Sequence, residues 1–376
     1  MKITEIESYA CEIPLKPERR MISALGQHIV SRYVLVRVKT DDGLEGVGEA
    51  TVMPRWSGES VWGTKALIDH VLAPLLIGLD PHDIATIDDR MEKAAALNWF
   101  TKSALEMACW DLQGKAAGKP VYELLGGPVR SLETRCRFSM GAYPLERATR
   151  RAQELVEEGF TTIKVKVGTN PEEDIARVRA VREVIGSERA IVIDANCGWD
   201  APTAIDAALK MQELGLNVGV FEQPTTQGDY AALAAVRKAV GPAMKVMADD
   251  IVFDLVHARE CIRNEAVDVV SIYPGKCGGI ARTKTIVDYC AEHGIPCSMG
   301  SNLEWDVATA AMCHMCVALP NLKIEEFPGD ILGPEYHEIR IARNPLKISG
   351  PMVSITDQPG LGVDVDWDVV RQHVCV

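Results

Sequence analysis

Six ionisable residues recur along the chain at nearly one period: Lys166, Asp194, Glu222, Asp249, Lys276 and Glu304, separated by 28, 28, 27, 27 and 28 residues. Each closes or follows a short apolar run of β character, and the period is the length of one strand–helix unit. In a parallel barrel such positions ring the C-terminal face, where barrel enzymes place their chemistry. Polar strand ends are common, but six ionisable groups at one period go beyond that, because charges are seldom buried without partners. Asp194, Glu222 and Asp249 end three consecutive runs, in VIDAN, VFEQP and VMADD. Three carboxylates facing one point repel each other unless a cation holds them. An oxygen-only set with no His or Cys selects a hard ion, Mg²⁺ foremost with Mn²⁺ as a substitute. The competing reading pairs some of these acids with arginines in a structural network.

Lys164 and Lys166 lie two apart in the run IKVKV. Residues i and i+2 of a strand point the same way, so both lysines face the barrel axis. Adjacent ammonium groups and burial both lower a lysine pKa, and a lysine tuned in this way serves as a general base. Lys276 follows the sixth run, across the ring from the second. A substrate held by the acids between them would therefore have one lysine on each face. A pair of solvated lysines on an edge strand is the plainer alternative, and it conflicts with the central place of this run.

These residues must be positioned by a regular scaffold. From about residue 132, β-rich runs alternate with amphipathic ones: TRCRFSM, TTIKVKV, AIVIDAN, VGVFEQP, KVMADD, VDVVSIY, IPCSMG and LKIEEF, separated by segments such as ERATRRAQELVEEG and EEDIARVRAVREVIG. Eight strands with seven intervening helices predict an α/β protein with a parallel barrel, an open doubly wound sheet being the alternative. Residues 1–50 alternate as strands, with Asp42-Gly43 as a hairpin turn. Residues 60–125 read as helices, one of them stopped at Gly118-Lys119-Pro120. The predicted division is a capping domain over 1–130, a barrel over 131–345, and a segment over 346–376 that returns to the cap.

The chain has 376 residues, with 40 Lys+Arg against 53 Asp+Glu and a formal charge of −13. That acidic balance argues against nucleic acid or an anionic membrane as partner. A hydrophobic content of 47% and a charged content of 25% are those of a globular protein and exclude disordered, collagenous and coiled-coil classes. Eleven cysteines, mostly in apolar or small-residue company, read as reduced thiols in a cytoplasmic protein. No signal peptide and no apolar run of membrane-spanning length is found.

On these residues the chain resembles the enolase superfamily, and within it the muconate-lactonizing-enzyme (muconate cycloisomerase) subgroup. The likeness is carried by DDGLEGVGEA, KSALEMACWDLQGKAAGKPVYELLGG, KVKVG, DANCGWD, FEQP, MADD and YPGKCGG. It implies an α+β cap over a modified (β/α)7β TIM barrel, and a Mg²⁺ ion that binds a substrate carboxylate and stabilises an enediolate after α-proton removal. It implies Asp194, Glu222 and Asp249 as metal ligands and Lys166 as base with Lys164 as its electrostatic partner. Lys276 would be a second base or a charge, and Glu304, in GSNLEWD, would match an acid of the family's MLEG segment. Gly300 or Ser301 stands where the mandelate racemase subgroup has a His, and GSNLEWD lacks the D-x-D of dipeptide epimerases. Asp250 replaces a Glu more usual at its position.

The expected reaction is cycloisomerisation of a small, muconate-like carboxylate. Racemisation or epimerisation of an amino acid or N-acyl amino acid, or a dehydration, is the rival within the subgroup, and an inactive binding protein is the rival outside it. Two cap loops are expected to select the substrate: Met21 to Ser31, with Gln27 and His28, and Thr51 to Ser60, with Arg55 and Trp56. Arg55 is a candidate partner for a second substrate carboxylate and Trp56 for an apolar wall. Asn196 and Asn302 complete the candidate substrate-binding set, and the resemblance implies a homo-oligomer.

Overall fold

The computed structural model describes residues 1–376. Its strands in chain order are β1 (Ile3–Pro14), β2 (Met21–Ser23), β3 (Gly26–His28), β4 (Val30–Thr40), β5 (Glu45–Val52), β6 (Glu133–Arg135), β7 (Phe138–Met140), β8 (Thr162–Lys166), β9 (Ala190–Asp194), β10 (Val218–Glu222), β11 (Lys245–Ala248), β12 (Val269–Ile272), β13 (Cys297–Met299), β14 (Lys347–Ser349) and β15 (Met352–Ser354). The cap is the antiparallel sheet β1-β4-β5 covered by the helix Trp99–Ala117. The turn between β4 and β5 closes through Thr40 N–H to the Leu44 carbonyl, with Gly43 at φ 84°, a left-handed conformation open to glycine at no steric cost. Gly46 and Gly48 let the sheet approach the helix closely, since a Cβ at either would overlap the backbone carbonyl of Ala108 or Ala104.

Seven parallel strands follow in the order β13-β12-β11-β10-β9-β8-β7. Most intervening helices start at an Asn or Asp whose side chain accepts an orphan amide, as Asn170, Asp200, Asp229 and Asp254 do. The fold is a TIM-like barrel with a capping domain. Its eighth position holds the expected LKIEEF only at the start, where Leu322 bridges Cys297 of β13 in parallel and Lys323 N–H donates to the Cys297 carbonyl (2.9 Å). In that run Phe327 N–H turns back to the Lys323 carbonyl and both glutamates are exposed. The gap is closed three residues later: Arg137 N–H donates to the Gly329 carbonyl (3.0 Å) and Asp330 N–H to the Met299 carbonyl (2.9 Å). The alternation in LKIEEF is that of a turn with one face buried, and periodicity over so few residues does not separate the two.

Inside the barrel, Val192, Val220, Met247, Val269 and Phe327 form an apolar plug. Val192, Val220 and Met247 precede Asp194, Glu222 and Asp249 by two residues each, so the period of the strand stacks the acids directly above the plug. In the C-terminal stretch, β14 and β15 extend β6. Farther on, Val121 N–H donates to the Gly360 carbonyl, Trp367 meets Tyr9 with centroids 5.2 Å apart, and Val374 bridges Cys11. No helix is long and apolar enough to cross a membrane.

His314, fully buried in the helix Asp306–Ala318, accepts from Tyr122 N–H at Nδ1 (3.2 Å) and faces the Leu361 carbonyl through Nε2 (3.2 Å). Burial lowers its pKa from 6.5 to about 4. The unfolded chain therefore takes up a proton that the fold refuses, and stability is lost as pH falls from 6.5 through about 4. Urea denaturation across that window should show this loss, and His314→Gln should lose less than the parent.

Candidate functional site

The strand register sets the acids side by side. Lys166 pairs with Asp194, Asp194 with Glu222, and Glu222 with Met247, two residues before Asp249. All are buried, as are both lysines of β8. Lys164 Nζ donates to Glu222 Oε1 (2.6 Å) and Asp330 Oδ2 (2.9 Å) and lies 2.8 Å from Asp194 Oδ2. Lys166 Nζ donates to Asp194 Oδ2 (2.5 Å) and Asn196 Oδ1 (2.6 Å). Arg137 bridges Glu222 Oε2 (2.9 Å) and Asp330 Oδ2 (2.8 Å) through one nitrogen. Lys276, in the single helical turn Pro274–Cys277, donates to the Asp249 carbonyl (2.8 Å), Asp249 Oδ1 (2.7 Å) and the Ser271 carbonyl (2.9 Å).

Positive and negative groups thus alternate, and for Lys164 this reverses one expectation. The two lysines were expected to lower each other's pKa. Instead Asp194 stands between the ammonium groups. Burial alone would lower Lys164, but Asp194, Asp330 and Glu222 outweigh it and raise its pKa well above the ordinary value. Burial would likewise raise Asp194, and Lys164 and Lys166 outweigh it and hold the carboxyl well below the usual range. Glu222 goes the other way, to about 7, because burial, with Asp194 and Asp249 beside it, exceeds the pull of Lys164 and Arg137. Asp250 is also pushed up to about 7, by burial and then by Asp249 and Asp194.

Around the mouth, six buried acids (Asp194, Glu222, Asp249, Asp250, Glu304, Asp330) face four buried cations (Arg137, Lys164, Lys166, Lys276). With every acid ionised the formal excess is two negative charges, the charge of one divalent cation; burial pushes Glu222 and Asp250 up to about 7, so a cation would favour their ionised forms. Oδ1 of Asp330 is buried with no donor. No three acids converge at ion-holding distance as the side chains lie, since lysine ammonium groups stand between them. The donors fit a hard divalent ion in chemistry and charge, and an ion would compete with the lysine contacts.

A cavity of about 480 Å³ separates barrel and cap. The barrel lines it with Lys164, Lys166, Asp194, Asn196, Asp249 and Asp250, and the cap with residues from both predicted loops, including His28, Arg55 and Trp56. Asn302 also lines it and donates to the Thr51 carbonyl (3.1 Å). Arg55 is exposed, rests on Gly26, and pairs with no carboxylate of the chain. His28 is held by Ser31 (2.8 Å), and burial, with Arg32 nearby, lowers its pKa to about 4. Trp56 stacks on Tyr273 with centroids 6.1 Å apart.

Three expected site residues do not line the cavity. Glu222 lies behind Lys164 and Arg137. Lys276 is fully buried, its ammonium 5.0 Å from the Tyr273 ring centroid, so the structure does not place one lysine on each face of the cavity. Glu304 accepts from Ser301 Oγ (2.6 Å) and Asn302 N–H (3.0 Å) and closes its own turn. Its local turn, where Leu303 has φ 62°, directs the carboxylate back on the loop. Arg137 and Asp330 were missed by sequence reasoning. Asp330 had a signal: it stands 26 residues beyond Glu304, one more step of nearly the same period.

Arg137→Met would leave Lys164 as the one buried cation shared by Glu222, Asp330 and Asp194. It should destabilise the protein by about 3–5 kcal/mol, read by chemical denaturation.

The chain matches the sequence models of two domains: "Mandelate racemase / muconate lactonizing enzyme, N-terminal domain" over residues 10–126, and "Enolase C-terminal domain-like" over residues 147–369. It is 30% identical to the N-succinyl-L-Arg/Lys racemase of Bacillus cereus, over 99% of this chain and 98% of the relative. The crystal structure of that racemase superposes with a TM-score of 0.94, covering 100% of this chain and 99% of the other. Muconate cycloisomerase 1 of Rhodococcus opacus is 30% identical over 99% of this chain and 98% of its own length. A dipeptide epimerase from Enterococcus faecalis, solved with Mg and the dipeptide L-Leu-L-Tyr, has a TM-score of 0.90 at 31% identity, covering 97% of this chain and 100% of the other.

Proposed function

The chain belongs to the enolase superfamily, in its mandelate racemase and muconate lactonizing enzyme family, and is an enzyme; on that premise we propose that it is a muconate-type cycloisomerase acting on a small dicarboxylate. Enzymes of this family are Mg²⁺-dependent. Bound here by Asp194, Glu222 and Asp249, that ion would supply positive charge to a substrate carboxylate. The observation that carries the reading is that Lys166 lines the cavity whereas Lys276 does not.

Cycloisomerisation needs proton transfer at one carbon. Lys166, as an ammonium, delivers a proton to the carbon beside the carboxylate held at the barrel mouth. As the neutral amine it removes that proton in reverse. In the lactonising direction an oxygen of the second carboxylate adds to the far carbon of the double bond, the π pair of that bond passes to the α-carbon that Lys166 protonates, and Arg55, with no acid of its own, would hold the second carboxylate from the cap. Lys164 and Arg137 carry positive charge behind the reacting carboxylate and, through Glu222 and Asp330, keep the ring rigid. The apolar plug beneath and the cap above exclude water and strengthen each of these interactions.

A second reading, racemisation of an N-acylated amino acid bearing a distal carboxylate, is supported by the likeness to the Bacillus cereus racemase. It requires a second base on the opposite face, so Lys276 would have to leave Asp249 and Ser271.

Incubating the enzyme and Mg²⁺ with muconate, and with N-succinyl amino acids in deuterated water, separates the two. Loss of muconate absorbance with lactone formation supports the first, and α-deuteration of the amino acid without lactone formation supports the second. Lys166→Ala should abolish proton transfer yet keep the rise in Tm on adding Mg²⁺, and proton transfer surviving in that variant would remove its role. Asp194→Asn should lose that rise, and EDTA should abolish activity that Mg²⁺ or Mn²⁺ restores. Arg55→Ala should raise KM about 10- to 100-fold, the value of one charge-assisted hydrogen bond, with kcat much less affected.

A further inference from the structure

A continuous run of hydrogen bonds links the cap to Lys166, and the mechanism above uses only its last member. The indole N–H of Trp56, in the cap turn Pro54–Ser57, donates to Oδ1 of Asp250. The other oxygen of Asp250 accepts from Asn196 Nδ2 (3.3 Å). With its amide NH₂ engaged there, Asn196 turns its carbonyl oxygen to Lys166, whose Nζ donates at 2.6 Å. The polarity is forced at both ends, because an indole N–H and an ammonium are donors only.

Trp56 and Asn196 are each anchored independently of the run. The Trp56 ring is seated by Tyr273 (6.1 Å), Phe100 (5.7 Å) and Phe253 (5.4 Å). The backbone of Asn196 is fixed at φ 40°, with its own N–H on Asp194 Oδ1 (2.9 Å). What remains to be set is the direction of the Asn196 amide, and Asp250, 1% exposed, sets it. A carboxylate offers two acceptor oxygens and can serve Trp56 and Asn196 together. An asparagine offers one.

Resting on the reading of Lys166 as the base, we propose that Asp250 is a positioning residue that couples the seating of Trp56 on the cap to the direction of the Asn196 amide, and through it to the aim of the Lys166 amine. With one N–H of Lys166 held by Asn196, the lone pair of the neutral amine is directed away from Asn196, towards the cavity. A cap loop out of place would release the amide and leave the amine held by Asp194 alone, free to turn about that one contact.

Two measurements on the full-length protein test this. The first needs no substrate: side-chain amide resonances of ¹⁵N-asparagine-labelled protein, compared between parent and Trp56→Phe. Phenylalanine keeps a ring in the aromatic seat and lacks the N–H. The Asn196 resonances, assigned by their loss in Asn196→Asp, should shift in Trp56→Phe; resonances that stay in place overturn the coupling whatever the substrate is. The second uses muconolactone in deuterated water. Trp56→Phe and Asp250→Asn should each lower the exchange kcat by on the order of tenfold with KM nearly unchanged, and the double variant should be no slower than Asp250→Asn alone. Multiplicative losses, or a change in KM or Tm with kcat intact, overturn the proposal. If the parent does not exchange muconolactone, the function assigned above fails, and the amide resonances still decide the coupling.

Discussion

Burying charge without its counter-charge is the constraint around which the barrel mouth is built. A carboxylate or ammonium moved alone into a low-dielectric interior costs several kcal/mol, so such groups persist only when interleaved and hydrogen-bonded. Here the interleaving runs across successive barrel strands and a closing segment: Arg137 between Glu222 and Asp330, Lys164 among Glu222, Asp330 and Asp194, Lys166 on Asp194, Lys276 on Asp249. Each side chain is held from more than one direction, which gives a catalytic group a fixed aim. With all its acids ionised the array has two negative charges more than positive ones, and that excess makes it receptive to a cation.

The same constraint joins the two domains. Glu49 of the cap accepts from Trp305 N–H (2.6 Å), Val307 N–H (3.0 Å) and Ala308 N–H (3.2 Å) at the start of the helix Asp306–Ala318. Glu106 of the cap accepts from Ile280 N–H (2.8 Å) and Ala281 N–H (2.9 Å) at the start of the helix Ile280–Glu292. Buried carboxylates at helix N-termini satisfy orphan amides and complement the helix dipole. These helices follow the loops that carry Glu304 and Lys276, so the cap both covers the cavity and holds two of its supporting loops in place.

How far the site was legible follows from the range of each interaction. Lys164 and Lys166 share a face because a strand repeats every two residues, and Asp194, Glu222 and Asp249 align because one strand–helix unit has a nearly constant length. Arg137 and Asp330 depend on barrel closure, which brings Cys136 beside Gly329 across almost the whole barrel sequence. LKIEEF misled for a related reason: alternation over six residues is shared by strands and by turns with one face buried. Glu304 fell on the period, yet its φ-constrained turn directs the carboxylate at its own backbone.

By itself, then, the sequence determined the repeating scaffold, the kinds of charge at its mouth, and the family they belong to, because these arise from local geometry repeated along the chain. Only the tertiary structure decided that Asp194 separates the two lysines, that Lys276 faces Asp249 and not the cavity, and that Trp56 reaches Asp250. Those are pairings between segments remote in sequence. They are selected by which neighbour can satisfy a buried charge or donor once the barrel has closed and the cap has docked.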